Sequence, residues 1–363
     1  TDRNYSMKAL DCQLLEYSDS AFTNPHEVVS PTQPEDRQGR FTHMGAQYWG
    51  FETSRHVGTR LLGDGQGFIF DPNASHFFKL GLVQTSEVSR ITVSTAWFTG
   101  NQVPAISIVL IHGDEQHTVI ERQTLEPNQE HSFDITSTVS DTCLVLCHQE
   151  GGIANVRLFG EPLTPEDDPP PENLLEQAKI SWVSNDHYGH PKDAVSGNRG
   201  VDHMKGWESA RTGFGEQAVF SFKRPVTLTA FVVDTYLHRL NAPLSCHVFA
   251  LPPGENLDQA MSAPPRWSLI QADGTTLIPD DFQQTLQSHR QQPGSGEASS
   301  ALTIRLHPGS EVWCPVLPFQ ALKPDTYHSF TALDYLGPVA HLLFMHYPNG
   351  GIHGLKAFGH YLD

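Results

Sequence analysis

Apolar and polar positions alternate along much of this chain. The runs "VSRITVSTAWF" (88–98) and "LTIRL" (302–306) repeat every two residues, the period of a strand with one face buried. "VTLTAFVVDT" (226–235) and "HLLFMHY" (341–347) are denser, as in strands buried on both faces. Gly, Pro, Asn and Asp interrupt at short intervals, and no long stretch keeps a helical period. Many short strands in about 150–180 residues predict an antiparallel sandwich or jelly roll. Two segments read as excursions: the Gly-rich loop "GDGQGFIFDPNASH" (63–76) and "HRQQPGSGEASS" (289–300).

The pattern occurs twice. "YSDSAFTNPHEVVSP" (17–31) aligns without a gap on "VSNDHYGHPKDAVSG" (183–197). "GFETSR" (50–55) answers "GWESAR" (206–211), "TAWFTGNQVP" (95–104) answers "TYLHRLNAP" (235–243), and "GGIANVRLFG" (151–160) answers "GGIHGLKAFG" (350–359). Four blocks in one order imply a duplicated module. The predicted architecture is all-β, two tandem jelly-roll sandwiches over residues 1–160 and 178–363. The acidic, Pro-rich stretch 161–177 reads as a linker with a helical turn at 174–178.

The chain has 363 residues and a formal net charge of −18. That charge repels phosphate backbones and anionic bilayers, so neither a nucleic acid nor a membrane is expected as partner. No apolar run is long enough for a spanning helix, and residues 1–11 lack the apolar core of a signal peptide. The five cysteines form no zinc set and read as reduced, mostly buried thiols, which suits the cytoplasm. Tandem sandwiches leave sheet faces that a homo-oligomer could cover. There is no GxSxG elbow, HExxH pair, phosphate loop or dinucleotide fingerprint. His187 and His190 give HxxH, but Gly189 and Pro191 argue for a loop, so no metal site is assigned; His203 lies near the same block.

Taken together, the "GWE[ST]-x-R" block, the "DT" and "GN-x-P" block and the closing "YP-x-GG[IV]" block resemble the allantoicase family. The resemblance covers nearly the whole chain. It implies tandem galactose-binding-like jelly rolls and hydrolysis of allantoate, a small-molecule substrate, to ureidoglycolate and urea without a cofactor. Each opening block here keeps one arginine, Arg55 or Arg211, where the family continues into an arginine run, and "GHDW" is missing. Two other readings therefore stay open: the same fold turned to another small molecule, and a non-catalytic binding module.

The reaction needs a grip on a carboxylate, a proton for the departing urea and an activated water. Arg55 and Arg211 suit the first because a guanidinium binds a carboxylate with two parallel hydrogen bonds. Glu208, Asp234, His238 and Glu52 are the catalytic candidates. Thr235, Asn241, Thr99 and Asn101 offer hydroxyls and amides to a ureido group, which both donates and accepts. Trp207 is a candidate platform. Each Glu–Arg set could equally be a structural ion pair, and each Asn a turn residue.

Overall fold

A computed structural model describes residues 8–18, 23–42, 45–163, 171–196, 206–289 and 302–363. The chain divides into two compact units, Thr1–Pro170 and Pro171–Asp363. Both are antiparallel β-sandwiches, as the alternation predicts.

In the first unit, one long strand, His76–Ser94, serves two groups of partners. Its first half pairs with Cys12–Tyr17 and with the end of Glu130–Cys147. Its second half pairs with the start of Glu130–Cys147 and with Asn155–Pro162. Bulges between Asp134 and Thr138 and between Ser140 and Thr142 mark the crossing. A bulge raises the local twist and bends the strand, so one strand can run from layer to layer. Ala105–His112 and Glu115–Thr124 complete the sheet as a hairpin turned at residues 113–114.

The second unit repeats this plan around Glu216–Asp234, which is also 19 residues long. Lys179–Val183, Tyr327–Phe330, Val339–Tyr347 and Gly354–Tyr361 pair with it, and Ser245–Leu251 follows in the sheet. Where the first unit has a tight turn, the second inserts residues 252–313. The insertion carries helices Leu257–Met261 and Phe282–His289 and a small sheet of Arg266–Ile270, Thr276–Leu277 and Thr303–His307. It explains the dense apolar run at 341–347. Phe220, Leu342 and Phe344 point into the sandwich core, while Val219, Leu343 and Met345 pack outward against Trp267 and Trp313. Both faces are buried, so alternation disappears.

Three local expectations change. The Gly-rich stretch is a hairpin, Thr59–Leu61 with Phe68–Phe70, rather than a loop. The expected linker is structured at both ends: Glu161 and Pro162 pair with Glu87 and Ser86, and Glu172 and Asn173 pair with Gly359 and Phe358. Its remaining residues 164–170, like His203 and residues 290–300, lie outside the described residues. The helical turn expected at 174–178 is a 3-10 turn, Leu175–Gln177.

The duplication is visible bond by bond. The Thr95 hydroxyl donates to Glu126 O (2.6 Å) and accepts from Gln129 N (3.1 Å); the Thr235 hydroxyl donates to Lys323 O (2.6 Å) and accepts from Thr326 N (3.0 Å). Two residues on, Trp97 and Leu237 hold positive φ, 69° and 66°, with their N–H groups on Asn128 Oδ1 and Asp325 Oδ1. These residues reveal a fifth paired block, "EPNQEHSF" (126–133) and "KPDTYHSF" (323–330). In each copy a histidine bridges the corner: His131 accepts from Glu126 N and His328 from Lys323 N, both at 2.9 Å.

Gly50 has φ +94°, and a Cβ there would sit 2.4 Å from Ile153 O. Gly50→Ala should therefore destabilise the first unit by on the order of 3 kcal/mol, because both dihedral strain and a backbone clash oppose it. Urea denaturation of the full chain checks this; an unchanged transition would contradict the corner geometry.

Candidate functional site

The opening and closing blocks meet at one corner of each unit. Trp207–Glu208 pairs with Gly351–Ile352, and Phe51–Glu52 pairs with Gly152–Ile153. The next residue locks the pair. Ser209 N donates to Gly350 O and its Oγ accepts from Gly350 N, both at 3.0 Å. Thr53 does the same with Gly151, at 2.9 and 3.0 Å. The third block closes the corner, because Gly351 N donates to Asn241 O and Gly152 N to Asn101 O, each at 2.8 Å.

In the second unit this geometry brings three expected residues together. Asn241 Nδ2 donates to Glu208 Oε1 (3.0 Å), and Asn241 Oδ1 lies 3.2 Å from His238 Nδ1. The carboxylate fixes the amide orientation, since it accepts only from the amide nitrogen. Oδ1 therefore faces the imidazole and accepts, and His238 carries its proton on Nδ1. Glu208 and Asn241 are half-buried, whereas His238 is buried.

The other candidates take different positions. Asp234 is buried and accepts Tyr236 N–H at 3.0 Å, closing a turn. Thr235 is fully buried in the corner bonds described above, so it tethers a loop rather than reaching a ligand. Trp207 is also fully buried. Its ring meets His346 edge-on at 4.7 Å and its N–H donates to Asn185 O at 2.7 Å, which makes it a core residue and not a platform. Arg211 and Arg55 are exposed, as is Thr99, and Asn101 is half-buried. Glu52 is buried; desolvation pushes its carboxyl up to about 7, against the opposing pull of nearby Arg55. His190 caps the helix Pro191–Val195, accepting Lys192 N–H on Nδ1, so the expected loop is a helix start. Among the described residues, no group of three or more His, Cys, Asp or Glu is placed to hold a metal ion.

Sequence comparison missed a buried difference between the copies. Aligning the blocks at 95–104 and 235–243 and the closing blocks places His238, His346 and His353 where the first unit has Phe98, Cys147 and Ala154. All three histidines are buried. His346 Nε2 lies 3.0 Å from Ser209 Oγ, and burial alone pushes its imidazole down to about 3. The signal was legible in the block "HYPNGGIHG", but only the fold shows that both histidines turn inward.

A duplicated β-sandwich whose copies each set a carboxylate against a double-glycine corner defines the class. The allantoicase repeat model matches residues 4–163 and again 173–362. The chain belongs to the allantoicase family. It is 25% identical to a probable allantoicase of Pseudomonas aeruginosa (strain LESB58), over 96% of this chain and 93% of that one. It is 24% identical to the allantoicase of Neurospora crassa, over 96% and 89%, and 26% identical to that of Saccharomyces cerevisiae, over 64% and 71%. A solved Saccharomyces cerevisiae allantoicase aligns over 98% of this chain and 95% of its own, at 19% identity and a TM-score of 0.35. No described helix is long and apolar enough to cross a membrane.

The His346 shift has a consequence for stability. Between about pH 6.5 and 3 the unfolded chain takes up a proton there that the folded chain refuses, so stability falls as pH drops through this window. His346→Cys, which installs the first unit's residue, should reduce the loss of denaturation free energy between pH 7 and pH 5. An equal loss in both proteins would show that His346 is not kept neutral by the fold.

Proposed function

We propose that the chain hydrolyses allantoate to ureidoglycolate and urea, and that the second unit's Glu208–Asn241–His238 chain is the working site. The convergence of these three block residues carries the reading, and membership of the allantoicase family supports it. Allantoate bears two ureido groups and a carboxylate on one carbon. One ureido nitrogen pushes its lone pair toward that carbon while the other leaves, so the C–N bond breaks to an acyl-iminium. A proton carried on Glu208 Oε2, the oxygen that does not accept from Asn241, passes to the departing urea nitrogen. The carboxylate then takes a proton from water as the oxygen adds to the same carbon, which restores the acid.

The surroundings divide the remaining work. Asn241 holds Glu208 by one oxygen, and His238, too buried to meet substrate, holds Asn241. His238 is thus a positioning residue. Arg211, exposed three residues beyond Glu208, receives the substrate carboxylate. On this reading Asp234 and Thr235 shape the loop, and the enzyme works in the cytoplasm without a cofactor. A second reading rests on the single arginine of each opening block: the same site acting on a different ureido compound, with a smaller anionic demand.

Urea release by the full-length chain tests the proposal. Glu208→Gln should lower kcat by about 10²- to 10⁴-fold with little change in KM, the range expected for losing a general acid–base group. Arg211→Ala should chiefly raise KM. A wild-type chain that releases no urea from allantoate at high enzyme concentration would sink the proposal, and release from another ureido acid would select the second reading.

A further inference from the structure

The turn that carries Arg211 is held from three directions. Only residues 212–215 separate Arg211 from the long strand Glu216–Asp234. Asn349, the residue before the double glycine, donates twice through Nδ2: to Arg211 O at 3.0 Å and to Gly213 O at 2.9 Å. Between those two carbonyls, Thr212 O accepts Phe282 N–H at 2.7 Å. Gly213 N–H returns to Ala210 O and Gly215 N–H reaches Pro348 O, each at 3.0 Å. Four consecutive carbonyls, from Ala210 to Gly213, are thus occupied by the turn itself, the closing block and the insertion. Ring contacts add to this, with Phe214 5.6 Å from Phe282 and 5.9 Å from Tyr347.

The first unit builds the same place differently. Glu150 stands where the second unit has Asn349, and it accepts His56 N–H. A carboxylate has no amide hydrogens, so it cannot hold Arg55 O as Asn349 holds Arg211 O. Phe282 begins the helix Phe282–His289, part of the insertion that the first unit lacks. Beyond Arg55 the chain runs through residues 56–75 and the hairpin before its long strand starts. Arg211 is exposed, so its backbone is where it can be fixed in advance. A guanidinium on a fixed turn loses less freedom on gripping a carboxylate than one on a loose loop, and it binds more tightly for that reason.

We propose that Asn349 and Phe282 are positioning residues that preset the Arg211 turn for a ligand's carboxylate, and that the second unit's insertion serves this site. The inference rests on the reading of Arg211 as the carboxylate grip. It assigns the two units different work through their backbones: the second holds its arginine ready, and the first does not.

Calorimetric titration of the full-length chain with N-carbamoylglycine and N-carbamoylglycinamide tests this, because the probes differ only in the carboxylate. Wild type should bind the acid at least tenfold more tightly than the amide, and Arg211→Ala should abolish that preference. Asn349→Leu matches the amide in size, adds no charge and donates nothing; it should cut the preference at least threefold. Phe282→Ala keeps the N–H and loses the ring. Phe282→Pro also loses the N–H, at a first helical position that tolerates proline, and should cut the preference further. Affinity for the neutral probe should stay within twofold throughout, which guards against misfolding. Adding Asn349→Leu to Arg211→Ala should cause no further change, since the asparagine acts through the arginine. A preference lost with Arg211→Ala but kept with Asn349→Leu overturns only this inference, as does equal weakening of both probes by Asn349→Leu. No preference in wild type, or one that survives Arg211→Ala, overturns the carboxylate grip and this inference with it. Urea release from allantoate is measured separately. Its absence beside an Asn349-dependent preference sinks the hydrolase reading and leaves the positioning role standing.

Discussion

The corner in each unit depends on a glycine that cannot carry a side chain. A Cβ on Gly351 would lie 2.2 Å from His238 Nδ1, and one on Gly152 would strike the Phe98 ring. Because that space is empty, a ring from one loop can lie directly against the backbone that pairs with Glu208 or Glu52. Three distant stretches then meet within hydrogen-bond reach. Any side chain there would push the loop away and separate the amide from the carboxylate. The preceding glycines, at φ +152° and +141°, turn the chain so that its N–H groups face the loop and the locking hydroxyl.

With the backbone fixed by these bonds, the two copies diverge in what lines them. The first unit fills its corner with Phe98, Cys147 and Ala154, and the second with three histidines. Burying an imidazole is costly unless it stays neutral and bonded, and His346 remains neutral far below the ordinary range. The first copy folds without these histidines, so the corner does not require them. Their presence in one copy marks a division between a hydrogen-bonded carboxylate, Glu208, and a desolvated one, Glu52.

Much of this was readable in the chain. Strand periodicity and the ordered blocks were legible because backbone geometry demands particular residues: glycine where φ is positive, threonine where a hydroxyl closes a loop. Other features were hidden for physical reasons. The block around His131 and His328 escaped notice because the insertion at 252–313 shifts the spacing between copies, and only its proline and His-Ser-Phe run are shared. Trp207 and Thr235 looked available because a repeated polar or aromatic residue has the same sequence signature whether it binds a ligand or a neighbouring carbonyl. The pairing of Glu208 with Asn241 required two strands and a loop to be placed in space, which spacing alone does not do.

The most direct test is the titration of His238 by NMR on histidine-labelled full-length protein, with and without Glu208→Gln. If Glu208 fixes the Asn241 amide and the amide fixes the imidazole, the substitution should change the Nδ1–H tautomer population and move the ring nitrogen shifts of His238. His341, whose Nδ1 lies 2.6 Å from Ser221 Oγ, should not respond. A His238 ring indifferent to Glu208 would mean that the chain of bonds does not exist, and the account of the second unit's site would fall with it.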